Sequence, residues 1–349
     1  MSRDVSLDVA KGIAIVCVVL GHGDYFGAPE GMIDLIFTFH MPLFFILSGF
    51  FMSPEARPDT CYVRECALSL LLQYAVTCAI MLLLYAVRTL LFWPEGLLDV
   101  LSTMGVASLY GSGTMVVPLP DGVTMVGAIW FLLALFWAKL ILAAANRSPY
   151  PLAAVLCSFV VGYVSSDILW LPLDIQAGAC ATLFLYLGQR LREKDVLSPG
   201  SLNPLLWALI AGMWLICVTL GGKLTMAANY YPNGPIVDVL GGLCGTLCVV
   251  KLSQLIARCL PALGKPLAWL GTITLPIFCM HLVEMDVFLW DRVAEVLISL
   301  PMPLWVGALV VRCALIAVMC GVLYALPRPI SGVFYRSRGR RSKTARMRA

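Results

Sequence analysis

The stretch Leu7-Asp8-Val9-Ala10-Lys11-Gly12-Ile13-Ala14-Ile15-Val16-Cys17-Val18-Val19-Leu20-Gly21-His22 decides the fold. Ten uncharged residues, Gly12 to Gly21, separate a lysine from a histidine. An apolar run near a start methionine also marks a signal peptide. Here Asp4 and Asp8 do not suit a basic flank, and no small-x-small cleavage site follows. The segment reads as an uncleaved first membrane helix. On that helix, eleven residues at about 100° each return His22 to within about 20° of Lys11, about 16 Å further along the axis. Asp8 lies one turn before Lys11, in register to pair with it. One interior-facing line thus carries a cation at the cytoplasmic end and an imidazole towards the outer end.

The rest of the chain repeats the apolar pattern. Of 349 residues 60% are apolar and only 13% charged, with mean hydropathy +0.90, whereas a soluble domain carries about 25% charge. Continuously apolar runs that can cross about 30 Å of hydrocarbon as helices predict spans at 8–24, 33–52, 67–91, 125–145, 150–165, 167–188, 203–221, 235–256, 267–289 and 303–325. Leu97 to Tyr110 reads as an extra half-buried helix. With the N-terminus inside, 19 of the 24 Lys plus Arg fall on inner segments and 3 (Arg88, Lys223, Arg292) on outer ones. Setting aside the eight from Arg328 onward still leaves 11 against 3. The positive-inside rule then asks for an even helix number with both ends in the cytoplasm. The expected fold is an all-α integral membrane protein, a bundle of about ten transmembrane helices with both termini cytoplasmic, in the plasma or inner membrane. Residues 1–327 form the membrane domain. Residues 328–349 are expected to be a basic, disordered cytoplasmic tail that meets anionic lipid and no nucleic acid.

Ten of the thirteen cysteines, including Cys17, Cys78, Cys180 and Cys279, lie inside apolar runs and act there as small hydrophobes. No Cys-x-x-Cys pair or Cys/His metal spacing is present, so no metal is expected. The longest outer segment, Pro94 to Thr124, is a candidate acceptor-binding lid.

Ionisable side chains inside spans are costly, and each is a functional candidate. All three histidines, His22, His40 and His281, fall at similar depth in the outer half of the bundle. Glu284, three residues after His281, is placed to orient or charge that ring. Pro42 frees a backbone carbonyl near residue 38, two residues before His40, and Ser48-Gly49 allows close helix approach.

These residues carry a resemblance to acyltransferase family 3, multi-pass membrane enzymes that O-acylate extracytoplasmic glycans. The first helix is similar through Lys11, ten intervening residues and His22. The second is similar through Phe39-His40-Met41-Pro42-Leu43-Phe44-Phe45 and Ser48-Gly49-Phe50. A middle helix resembles the family at Trp130-Phe131-Leu132 with Ala134-Leu135-Phe136, and a late one at Leu270-Gly271-Thr272 to Leu275, ending at His281. Lys11 stands where the family usually has Arg. Of its Arg-x-x-Arg at the third helix only Arg64 is present, with Ala67 in the second place.

The resemblance implies acyl-CoA, acetyl-CoA in the expected case, as cytoplasmic donor and a hydroxyl of a glycan or other cell-envelope molecule as acceptor. It implies His22 as general base, with Asp8 and Lys11 beneath it. Lys11, Arg64, Arg190 and Arg192 would hold CoA phosphates at the inner mouth. His40, or His281 with Glu284, would orient the acceptor or substitute as base. A transporter or flippase of the same fold is the alternative, because the polar stripe would also serve proton-coupled translocation. A third reading is a partner-binding membrane protein without catalysis. Oligomeric state is not fixed by the sequence.

Overall fold

Asp4 starts the first helix by accepting the Ser6 N–H at 2.9 Å, and the chain leaves it through the Gly21-His22-Gly23 turn, so that His22 caps α1 (Val5–Gly21) from its end. The computed structural model describes residues 4–198 and 203–335, and the described residues contain no strand, only an isolated antiparallel bridge between Thr225 and Tyr230. Pro29 precedes α2 (Glu30–Phe50), and Asp59 caps α3 (Thr60–Cys66) by accepting from Tyr62 N. That helix passes through a π-helical turn at Ala67–Leu71 into α4 (Leu72–Phe92). The 33 residues from Thr60 to Phe92 span about 50 Å at 1.5 Å each, more than the hydrocarbon needs. The half-buried helix expected at 97–110 is α5 (Leu97–Tyr110), which Gly111 ends at φ 83°.

Next come α6 (Trp130–Ala145), α7 (Pro151–Ser165), α8 (Ile175–Glu193), α9 (Pro204–Leu220) and α10 (Pro235–Cys259). The span expected at 267–289 is two helices, α11 (Pro261–Thr272) and α12 (Thr274–Val287), bent by 75° at the break. Pro276 has no N–H for the Thr272 carbonyl, which accounts for the break. An eight-residue helix, α13 (Trp290–Leu297), leads into α14 (Leu304–Ala325). The first residues of the segment expected to be a disordered tail are helical. In α15 (Arg328–Phe334) the Val333 carbonyl accepts from Gln73 Nε2 at 2.9 Å, and Tyr335 then donates to Cys320 O. The remaining tail, 336–349, lies outside the described residues.

A helix occurs at each of the ten positions predicted to span. By length and apolar composition four qualify to cross a bilayer, namely α2, the α3–α4 unit, α10 and α14, and the bent α11–α12 pair makes a fifth. Apolar side chains cover the outside as well as the core, and several polar ones are buried. Leu83, Leu91, Leu205, Leu209, Val310 and Val318 are exposed, while Gln73, Thr77, His281, Glu284 and Arg312 are buried. That distribution suits lipid outside and polar contacts within, and the chain is a multi-pass membrane protein.

The helix α1 lies centrally, against α2, α10, α11, α12 and α14. Its crossing with α11 is set by two glycines. A Cβ on Gly12 would stand 2.0 Å from Leu267 O, and one on Gly271 would stand 1.8 Å from Asp8 O. Gly49 and Gly188 do the same for α2 and α8, each with its would-be Cβ 1.9 Å from a carbonyl oxygen of the other helix. Packing between backbones without Cβ atoms in the way is how helices associate where lipid offers no hydrophobic drive.

Candidate active site

The 75° bend turns α12 over the end of α1 and brings His281 onto His22, with ring centroids 5.3 Å apart and planes at 44°. His22 is half-buried, and His281 is fully buried. Behind the rings is a closed polar cluster. His281 Nδ1 is 2.9 Å from Glu284 Oε1, and Arg312 of α14 donates to the same oxygen from Nε at 2.9 Å. Arg312 also donates from Nη1 to the His22 carbonyl at 3.1 Å and sets Nη2 3.3 Å from His281 Nδ1. One ring nitrogen cannot both donate and accept. The shorter contact to a carboxylate makes Nδ1–H the donor, which leaves Nε2 as the ring's acceptor. Among the described residues that Nε2 is buried without a partner, as is Glu284 Oε2. Glu284 and Arg312 neutralise each other, so the cluster pairs its charges inside the protein.

A cover lies over this cluster. Trp290 donates from Nε1 to the Glu284 carbonyl at 2.9 Å, Phe26 meets the Trp290 ring edge-on at 5.1 Å, and the Arg312 guanidinium is 5.9 Å from the Phe26 ring. Tyr25 donates to Asp291, and Lys223 pairs with Asp24 at 2.8 Å. Burial works to raise the Asp24 carboxyl, but Lys223 and the Tyr25 backbone N–H outweigh it and hold Asp24 below the usual carboxylate range.

At the other end of α1, Lys11 Nζ lies 2.7 Å from Asp8 Oδ1 and 5.8 Å from the Phe51 ring centroid. Arg192 reaches the same end of α2, donating to the Phe50 carbonyl at 3.4 Å. Arg190 is committed to Glu193 at 2.7 Å and to the Tyr186 ring, and Arg64 is exposed on α3. The structure therefore gathers Lys11, Asp8 and Arg192 at one end and His22, His281 and Glu284 at the other. His40 bonds within its own helix: its Nδ1 is 2.8 Å from the Ile36 carbonyl, and its ring packs edge-on against Phe37. Among the described residues no group of three or more His, Cys, Asp or Glu side chains could hold a metal ion.

Arg312 is the site residue that sequence reasoning missed. Its signal was present, an arginine inside an otherwise apolar helix. Its partner, however, is 28 residues away on another element, so no local spacing linked the two.

On the far side of α12 a cavity of about 110 Å³ lies between α4, α5 and residues 124–127, lined by Tyr85, Ser108, Thr124 and Asp286. The segment expected as a lid folds over this end of the bundle, where Val126 N donates to Ser112 O and Trp170 N to Pro118 O. A second, larger groove opens between α9 and α10. Neither connects His22 with Lys11; Ile15, Val18 and Val19 are buried between them.

Residues 4–325 match the model of acyltransferase family 3, described as an acyltransferase domain. No curated protein and no solved structure matches the chain.

Proposed function

We propose, from the premise that this chain belongs to acyltransferase family 3, that it moves an acyl group from cytoplasmic acyl-CoA to a hydroxyl of an extracytoplasmic glycan or other cell-envelope acceptor. Acetyl-CoA is the proposed donor, and the plasma or inner membrane the proposed location. About ten crossings with both termini in the cytoplasm complete the proposal.

The observation that carries it is the half-buried His22 ring, backed by His281, Glu284 and Arg312, on the same helix as the Lys11–Asp8 pair some three turns away. An acceptor hydroxyl attacking a thioester must lose its proton. In the proposed step the acceptor oxygen bonds to the acyl carbon, the C–S bond breaks, and the hydroxyl proton passes to His22. The CoA thiolate leaves and takes up a proton. General-base help of this kind contributes about 10²–10⁴ in rate. His281, held by Glu284 with Nε2 as its acceptor, backs the His22 ring.

Lys11 and Arg192 are the proposed phosphate contacts at the inner end, with Arg64 and Arg190 at its margin. A lysine there offers a point charge where arginine offers a fork. Because buried aliphatic side chains fill α1 between the two ends, the donor's acyl arm has to part the helices around α1 to reach His22. The cavity beside Asp286 and the 94–124 segment are the proposed acceptor side.

The test compares membranes containing equal amounts of wild type and His22→Ala, reading the ester content of surface glycan by mass. Loss of the acyl mass increment in the variant is expected. Unchanged ester content at equal protein level removes His22 from the base role.

A further inference from the structure

We propose that the groove between α9 and α10 binds one anionic phospholipid, with the headgroup phosphate on Lys251 and the acyl chain running deeper along Cys248 and Ala211. The groove measures about 540 Å³ and is walled by Trp207 and Ala211 of α9 and by Cys248, Lys251 and Leu255 of α10. Lys251 is set eight residues before the end of α10, about 12 Å along the axis, in a helix that is long and apolar enough to cross a bilayer. A charge in such a helix needs an anion or an outlet to water. Other cations embedded in this bundle find oxygen on the chain itself: Lys11 on Asp8, Arg88 on the Val287 carbonyl, Arg192 on the Phe50 carbonyl and Arg312 on Glu284. Lys251 differs. Its ammonium lies 5.2 Å over the Trp207 ring, and among the described residues no carboxylate lies within ion-pair distance.

The Trp207 indole N–H, on the α9 side of the groove, is buried and has no partner among the described residues. An unpaired buried donor is costly. Two unmet donors partway along an apolar groove ask for an oxygen-rich anion that carries a hydrocarbon chain. Leu252 and Leu255 in the lining are exposed, so the groove opens to the hydrocarbon and a membrane lipid can enter it sideways. A zwitterionic lipid brings its own ammonium, which competes with Lys251 for the phosphate; a lipid of net charge −1 does not. This site is separate from the proposed transfer chemistry.

The experiment reconstitutes the full chain in nanodiscs of equal phosphatidylcholine and phosphatidylglycerol, then releases it into mild detergent and weighs retained lipid by native mass spectrometry. Phosphatidylglycerol is expected to be retained over phosphatidylcholine by about fivefold, the factor that one basic residue contributes at a membrane surface. Lys251→Gln should bring the ratio to near one, Lys251→Arg should keep it, and Trp207→Phe, which keeps the ring and removes the N–H, should lower it. Equal retention of the two lipids by wild type overturns the proposal. So does a ratio that Lys251→Gln and Trp207→Phe both leave unchanged. Displacement of the lipid by excess free CoA would reassign the groove to soluble phosphates. If Lys251→Gln does not yield folded protein, the Lys251→Arg and Trp207→Phe ratios decide.

Discussion

Glu284 holds two partners with one oxygen, and that shared atom makes the site's chemistry and its stability separable. Removing one member of a fully buried ion pair leaves the other charge unpaired, at a cost of about 3–5 kcal/mol. Arg312→Met is therefore expected to lower the thermal midpoint strongly in detergent, and Glu284→Gln less, because the amide keeps a hydrogen-bonding oxygen. The double variant should be more stable than Arg312→Met alone, yet it should not recover transfer, because His281 has lost its carboxylate. Recovery of acyl transfer in the double variant would reduce Glu284 to a structural role. At the inner end, Lys11→Arg should keep most activity and Lys11→Ala should lose it; equal activity would take Lys11 out of the donor site. At this scale the site was legible where partners share a helix. Asp8–Lys11 and His281–Glu284, each at a separation of three, were read from spacing and are an ion pair of 2.7 Å and a hydrogen bond of 2.9 Å. Arg312 was not assigned, because its role depends on a contact between α14 and α12 that no local period encodes.

Helices, as elements, were legible through apolar run length, and their ends less so. Asp59 and Asn203 set starts by side-chain caps and Gly111 a stop by a left-handed turn, features that a hydropathy window averages away. The bend between α11 and α12 was hidden for the same reason, since the apolar run continues across it. The bend nonetheless serves two packing demands. It lets α11 lie backbone to backbone on α1 at Gly12 and Gly271, and it lets α12 cross over to deliver His281. Gly271→Val should prevent α1 and α11 from closing, because the first added carbon already meets Asp8 O at 1.8 Å. The expected result is loss of monodisperse protein on extraction, with Asp8 displaced from Lys11. Gly105, on α5, has nothing within 4 Å of a would-be Cβ. There Gly105→Ala should be neutral or stabilising by up to about 1 kcal/mol, the helix-propensity difference. A destabilised Gly105→Ala would mean that α5 packs more tightly than described, and an unperturbed Gly271→Val would break the crossing argument. The pair reads local geometry directly, independent of catalysis.

For the whole molecule, contacts between distant segments sort the helix ends into two sets. Lys11 meets Phe51, Arg192 meets Phe50, Gln254 meets Leu197 and Gln73 meets Val333. Away from these, Tyr25 meets Asp291, Asp24 meets Lys223, and Arg88 meets Val287. Each contact of the first set pairs ends predicted as inner, and each of the second pairs ends predicted as outer. Agreement on grouping does not choose the side, and the transfer proposal needs the side, since CoA is cytoplasmic and the glycan is not. Native thiols provide the test. Cys61 and Cys259 are exposed at the start of α3 and the end of α10, both on the proposed inner side. They should react with a membrane-impermeant maleimide only after permeabilisation, as should a cysteine at Ser342. A cysteine replacing the exposed Asp121 in the loop before α6 should react in intact cells. The inverted pattern would put Lys11 outside and His22 inside, and an acyl-CoA donor at the Lys11 end would then have no supply. Labelling of all four sites from one side would instead mean that the α3–α4 unit does not cross, and the count of about ten would fall.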